Sequence, residues 1–165
     1  MREMQLSQSK IALVDDEDYW YLMQFTWHAI NKGDLWYARH SFKKPNFKFG
    51  YSMYMHNLLM DSTNQVDHVD RNGLNNARNN LRFATSQQNS ANSIRKIHGT
   101  SIFKGVSWSG KRWRAQIKVN GITKNLGEFI VEEDAARAYD EAAKEYFGAY
   151  AILNKIEFGD LMVNE

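Results

Sequence analysis

An α+β fold is predicted, from three observations. Short apolar runs broken by turn residues fill residues 1–84, in the manner of small strands. Residues 113–129 alternate around Asn120-Gly121, a two-residue hairpin signal because both positions tolerate positive φ. Residues 132–147 then place Ala135, Ala138, Tyr139, Ala142, Ala143 and Tyr146 along one helical face, and Gly148 stops the helix.

The elements follow in order. Residues 1–50 read as a small β-rich region. The apolar run Ile11 to Val14 ends in an acidic turn, residues 15–18. Residues 19–27 are either a short helix or a strand, since periodicity fits both. Residues 35–39 form a strand after the turn 31–34. Residues 53–60 are again a buried helix or strand. Residues 66–70 are a strand with polar residues in unexpected places. A loop rich in Asn and Gly runs to Asn80, and residues 81–84 resume a strand. Thr85 or Ser86 caps a helix expected over 87–96, because a hydroxyl oxygen accepts an orphan N–H bond. Residues 99–101 are a linker. Strands are expected over 103–108, 113–119 and 122–129, before the helix at 132–147. In residues 113–119, Trp113, Ala115, Ile117 and Val119 point one way, and Arg114, Gln116 and Lys118 the other. Three strands and a helix complete a two-layer unit. The expected organisation is an N-terminal region (1–50), a catalytic domain (51–98), a binding domain (99–155) and a tail (156–165).

Hydrophobic residues make up 43% of the 165 and charged residues 24%, as in soluble globular proteins. The absence of cysteine excludes a disulfide scaffold and a cysteine-ligated zinc finger. The first residues lack the apolar run of a signal peptide, and no stretch reaches the ~18 apolar residues of a membrane span. An intracellular, cytoplasmic protein is expected. Net charge is +2, but it is unevenly spread. Residues 71–127 hold 11 basic groups and no Asp or Glu, while residues 128–165 hold 3 basic and 10 acidic groups. A purely basic middle points to a polyanion, most simply a nucleic-acid backbone. The groups concerned are Arg71, Arg78, Arg82, Arg95, Lys96, Lys104, Lys111, Arg112, Arg114, Lys118 and Lys124.

Chemistry concentrates in residues 67–89. Phosphodiester hydrolysis needs an activated water and positive charge on the developing phosphorane. A His beside an Asp at a strand end supplies a base and a metal ligand, and an Asn on a helix supplies a second oxygen. Oxygen ligands suit a hard cation such as magnesium. Taken singly, His68 reads as an ordinary polar residue, and Asn75, Asn76, Asn79 and Asn80 as turn residues. Together they form a pattern.

That pattern, Asp67-His68-Val69-Asp70-Arg71-Asn72-Gly73, then Asn79 to Thr85, then Gln87-Gln88-Asn89, resembles the HNH homing endonucleases of phages and mobile introns. The resemblance implies a ββα-metal (His-Me finger) domain. His68 would be the general base. Asp67 and Asn89 would ligate one divalent ion, Mg2+ or else Mn2+. Asn80, 12 residues after His68, would hold the loop and orient His68; Asn89 follows His68 by 21. Asn at the third position favours an all-oxygen site over one preferring zinc. His56 lies in Met-His-x-Leu-Leu-Met, which recurs in this family, with Asn57 where Arg is usual. A structural role for His56 stands beside a phosphate contact. His28, His40 and His98 are assigned nothing.

Residues 103–154 resemble a second family, the Apetala-two/ethylene-response-factor (AP2/ERF) DNA-binding domains of plants. The matching pieces are residues 104–108, 113–117, 126–129, 133–140 and 147–148, with Leu153-Asn154. The family lays a three-stranded sheet in the major groove with a helix behind. Lys104, Arg112, Arg114, Lys118 and Lys124 are expected on the open sheet face, for phosphate or guanine edges. Trp113 is expected in the core, and Trp108 in the core or on DNA. Ser107 and Asn125 replace the Arg and Trp of the plant factors, so the plant target does not transfer.

The sequence thus predicts a phage- or mobile-element-type, metal-dependent, site-specific endonuclease, nicking or cutting both strands. Its partner is double-stranded DNA, with no membrane and no small-molecule cofactor. The alternatives are a non-enzymatic DNA-binding regulator with a vestigial motif and an RNA-binding protein. The second is disfavoured because single-strand readers display aromatic platforms.

Overall fold

A computed structural model describes residues 1–42, 50–61, 64–93 and 99–156. The chain divides into two compact units, Met1–Ser86 and Gln87–Glu165. This division by contacts falls at 86/87, where the sequence reading places boundaries at 50/51 and 98/99.

The first unit is built from small antiparallel sheets and short helices. β1 (Arg2–Gln5) pairs with β2 (Ile11–Val14). The run read as an acidic turn is the start of α1 (Asp16–Leu22). Asp16, Glu17 and Asp18 occupy its first turn, where carboxylates offset the positive end of the helix dipole. β3 (His28–Lys32), β4 (Leu35–Phe42) and β5 (Tyr51–Tyr54) form a three-stranded sheet. The ambiguous stretch 53–60 is both element types in turn, because β5 passes directly into α2 (Met55–Leu59). β6 (Val66–His68) and β7 (Leu81–Phe83) make a two-stranded ribbon. One core gathers Met4, Val14, Leu22, Ala38, Met55 and Leu81, which explains why residues 1–50 and 51–86 fold together.

The second unit takes in most of α3 (Ser86–Ala91), shorter than the expected 87–96; residues 94–98 lie outside the described ones. Its sheet has β8 (Val106–Trp108), β9 (Trp113–Val119) and β10 (Ile122–Phe129) in antiparallel order. The β9–β10 turn uses Asn120 at φ +51° and Gly121 at φ +80°, as the hairpin signal requires. α4 (Glu132–Phe147) packs its alanine face on the sheet, with Ala115 and Ile117 opposite Ala135, Ala136 and Ala143. β8 is three residues shorter than expected. Just before it, Gly105 adopts φ +78°, and a Cβ there would stand 1.9 Å from the Tyr139 ring. The chain can pass α4 this closely only without a side chain.

Candidate active site and nucleic-acid interface

His68 ends β6 and is 5% exposed. As strand neighbours, Asp67 and His68 point to opposite faces of the ribbon. The imidazole sits in an aromatic box. The His56 ring meets it edge-on at 4.9 Å between centroids, and the Tyr37 ring at 5.9 Å. Tyr54 stacks on His56 at 5.4 Å. The His68 Nε2 faces the Oδ1 of Asn76 at 3.4 Å, and Asn76 is wholly buried. Burial lowers the His68 pKa, against the opposing pull of the Asn76 contact and of Asp70 and Asp67. Burial, aided by His68 and Lys32, takes His56 down to about 3. Both rings are neutral at neutral pH. Two buried polar atoms here lack a hydrogen-bond partner, Nδ1 of His56 and Nδ2 of Asn76.

The loop after His68 is held by its own amides. Asn80 donates from Nδ2 to Asp70 Oδ1 (2.9 Å) and to the Asn75 carbonyl (2.8 Å), and its Oδ1 accepts from the Asp70 N–H. Asp70 also accepts from Asn75 Nδ2 and the Asn72 N–H. Burial raises the Asp70 pKa, but these bonds outweigh it and the net shift is down. The Val69 N–H bonds the Asn80 carbonyl. Asn80 therefore braces the loop, and the amide oxygen of Asn76 faces the His68 ring. The loop is also tied to β2, with the Leu13 N–H on the Leu74 carbonyl and the Asn76 N–H on the Leu13 carbonyl. Gly73 lies against β4, where a Cβ would come within 2.5 Å of Tyr37.

Asn76 and Tyr37 are the residues that sequence reasoning missed. Asn76 was hidden in an Asn-rich stretch that reads equally well as turn. Tyr37 comes from a separate sheet, and no local signal connects it to His68. His56, for which the sequence leaves a structural role beside a phosphate contact, packs against His68.

Asp67 pairs across the ribbon with Arg82. The Nε and an Nη of Arg82 both reach Oδ2, at 2.9 and 2.8 Å. Asn89, half-buried, stands on α3 within the second unit, whereas Asp67, His68 and Asn80 belong to the first.

The basic residues differ in their partners. Arg78 bonds within the first unit, with Nε and Nη on Asp18 (2.8 and 2.7 Å) and an Nη on the Leu59 carbonyl. Lys104 sends its ammonium to the Ser90, Ala91 and Ser93 carbonyls. Lys124 is opposite Ile117 in the register and bonds Tyr146 of α4, which corrects its expected place on the open face. Arg114 does lie on that face, paired with Glu128 at 2.8 Å. Lys118, Lys111 and Arg112 are exposed on the face or the β8–β9 turn. Arg71 is half-buried with left-handed backbone (φ +63°). Arg95 and Lys96 lie outside the described residues. Trp108 is opposite Trp113, rings 5.0 Å apart, and 43% exposed.

The chain is 34% identical over 140 residues to an uncharacterized HNH endonuclease of Acanthamoeba polyphaga mimivirus, covering 80% of this chain and 72% of that one. This chain belongs to the HNH endonuclease family. Protein 3.8 of Escherichia phage T7 is 36% identical over 88 residues, covering 52% of this chain and 72% of the phage protein. An AP2-like ethylene-responsive transcription factor of Arabidopsis thaliana is 38% identical over 60 residues, 34% of this chain but 12% of the plant protein. No family model matches. Among the described residues, no helix is long and apolar enough to cross a membrane.

Proposed function

We propose that this chain is a divalent-metal-dependent, site-specific DNA endonuclease of homing-endonuclease type, with His68 as general base and the three-stranded sheet as an AP2/ERF-like DNA reader. The observation that carries the reading is the His68 imidazole itself, in a chain of the HNH family: buried, neutral, and facing an amide oxygen with Nε2. In the tautomer that donates Nε2–H to the Asn76 amide oxygen, Nδ1 is the basic nitrogen. Nδ1 takes the proton of a water whose oxygen attacks phosphorus as a P–O bond of the backbone breaks.

Asp67 and Asn89 would hold the cation, magnesium or manganese. Among the described residues no group of three His, Cys, Asp or Glu that could hold a metal gathers, so the reading rests on the chemistry of these two donors. One carboxylate and one amide oxygen suit a hard ion that keeps waters and takes phosphate oxygens. A carboxylate has about four acceptor sites, so pairing with Arg82 does not exhaust Asp67. When bound, the ion supplies positive charge for the transition state and makes water more acidic. Lys111, Arg112 and Lys118 contact phosphates, since these are exposed and on or beside one sheet face.

The test is conversion of supercoiled plasmid carrying phage or host DNA, with magnesium or EDTA, by wild type and His68→Ala. Nicked or linear product that needs metal and is lost in His68→Ala supports the reading. Tight DNA binding without cleavage under any divalent metal would replace it with a regulator carrying an inactive motif.

A further inference from the structure

The register of the second unit's three strands decides which side chains share its open sheet face. Ala115, Ile117 and Val119 of β9 are buried in the clusters that include α4, so Arg114, Gln116 and Lys118 face the other way. Residues directly opposite one another share a face. Ser107 and Glu128 therefore stand beside Arg114, Asn125 beside Gln116, and Thr123 beside Lys118. A bulge between Asn125 and Gly127 shifts the alternation of β10 by one residue, which is why both Asn125 and Glu128 reach this face. The middle cross-strand row is a pair of amides, Gln116 and Asn125.

The rows differ in chemistry. Arg114 is occupied, with its Nε and an Nη both on Glu128 Oε1 at 3.2 and 2.8 Å. The guanidinium fork that would read O6 and N7 of guanine is thus directed at a carboxylate. Lys118 is exposed, and its compact charge suits phosphate. Gln116 is half-buried, and its side-chain amide bonds no other described residue. Asn125 is exposed; its Oδ1 accepts the Gly127 N–H at 3.2 Å, which leaves Nδ2 to donate elsewhere. A carboxamide carries an acceptor oxygen beside a donor nitrogen. In the major groove adenine shows the matching pair, a donor at N6 beside an acceptor at N7. Guanine shows two acceptors, so the glutamine oxygen would face O6 with no proton between them.

We infer that Gln116 is a specificity-determining residue of the sheet: its amide selects adenine in the major groove, the oxygen accepting from N6 and the nitrogen donating to N7, while Glu128 withholds Arg114 from guanine. Asn125 adds a neighbouring donor from β10. The site that the sheet recognises therefore contains an A·T pair read by Gln116. This rests on the sheet being a DNA reader, as proposed above, and concerns the second unit alone.

The experiment is a binding selection by the full-length protein in EDTA, from a random-sequence DNA duplex library, for wild type, Gln116→Ala, Gln116→Arg and Lys118→Ala. Dissociation constants are then measured for duplexes carrying each base pair at each selected position, and for duplexes with an adenine analogue that has carbon in place of N7. Wild type should select a site with an A·T position at which G·C weakens binding by about tenfold or more. The analogue there should weaken wild type several-fold and leave Gln116→Ala unaffected. Gln116→Ala should lose preference at that position alone. It should keep the other preferences, which shows that the variant is folded, and keep the salt slope, because no cation is removed. Gln116→Arg should turn the preference there toward G·C. The inference is overturned by a Gln116→Ala protein that discriminates at every position as wild type does, or that loses preference at a G·C position instead. Wild type that binds with no preference at any position also overturns it, and leaves the sheet as a binder of the DNA backbone. If Lys118→Ala as well as both Gln116 variants kept wild-type affinity, salt slope and preference, the sheet itself would be removed as the DNA reader.

Discussion

In the first unit Arg78 and Arg82 are ion-paired, with Asp18 and Asp67, whereas in the second Lys111, Arg112 and Lys118 stand exposed on or beside one sheet face. All five come from one stretch without a single carboxylate. The two ion-paired arginines stabilise a scaffold around His68, and the exposed set is available to a polyanion. Lys104 belongs to neither group, since its charge is spent on a helix end. A run of like charge in a sequence therefore identifies a polyanion partner less directly than it suggests. The carboxylates that absorb part of it are supplied from residues 15–18 and 67, outside the run.

Separating chemistry from affinity is the strongest way to break this comparison. His68→Ala should reduce cleavage by about 10²–10⁴-fold, the usual worth of a general base, with DNA affinity in EDTA unchanged. Single-turnover cleavage and a gel-shift titration measure the two. Equal losses in both would mean that the first unit also carries most of the binding.

Arg78→Ala should destabilise the protein by about 2–3 kcal/mol, because it leaves the buried Asp18 carboxylate unpaired; the half-exposed guanidinium keeps the figure below that of a fully buried pair. Lys118→Ala should stay within about 0.5 kcal/mol of wild type. Urea denaturation of the two variants distinguishes a charge paired to a buried carboxylate from a solvated one.

Acid stability follows from the aromatic box. The folded pKa of His56 lies below its unfolded value, so between about 6.5 and about 3 the unfolded chain binds more protons. Its stabilising contribution is complete above the unfolded pKa and declines as pH falls toward the folded one. His56→Phe should flatten the loss of stability across that window, read from melting temperature against pH. An unchanged slope would place the acid sensitivity elsewhere.

The smallest effect should come from the open sheet face. Lys118→Ala should weaken DNA binding nearly uniformly across sequences and reduce the salt slope by about one. Arg114→Ala should do less, because Glu128 already neutralises Arg114. If Arg114→Ala proved the more damaging, the Arg114–Glu128 pair would have to open on DNA.

Much of the second unit was legible. β9, β10 and α4 fall on the expected residues, because alternation, a two-residue turn and an alanine face are local patterns. The first unit was less so. Its acidic run reads as a turn yet starts α1, and β5 and α2 share one apolar stretch that fits either period. At the candidate site, Asp67, His68 and Asn80 were legible as a spaced pattern, whereas the contacts of His68 with Asn76, His56 and Tyr37 were not.

By itself the sequence determined the strand and helix periods, the hairpin turn, the spaced Asp-His-Asn-Asn pattern and the uneven charge. Each of these depends on neighbours a few residues away. Only the tertiary structure decided which charges face outward and to which unit α3 belongs. Those outcomes depend on partners far along the chain, such as Asp18 and Arg78, 60 residues apart, and on an ammonium at Lys104 that meets a helix end only once the sheet has folded.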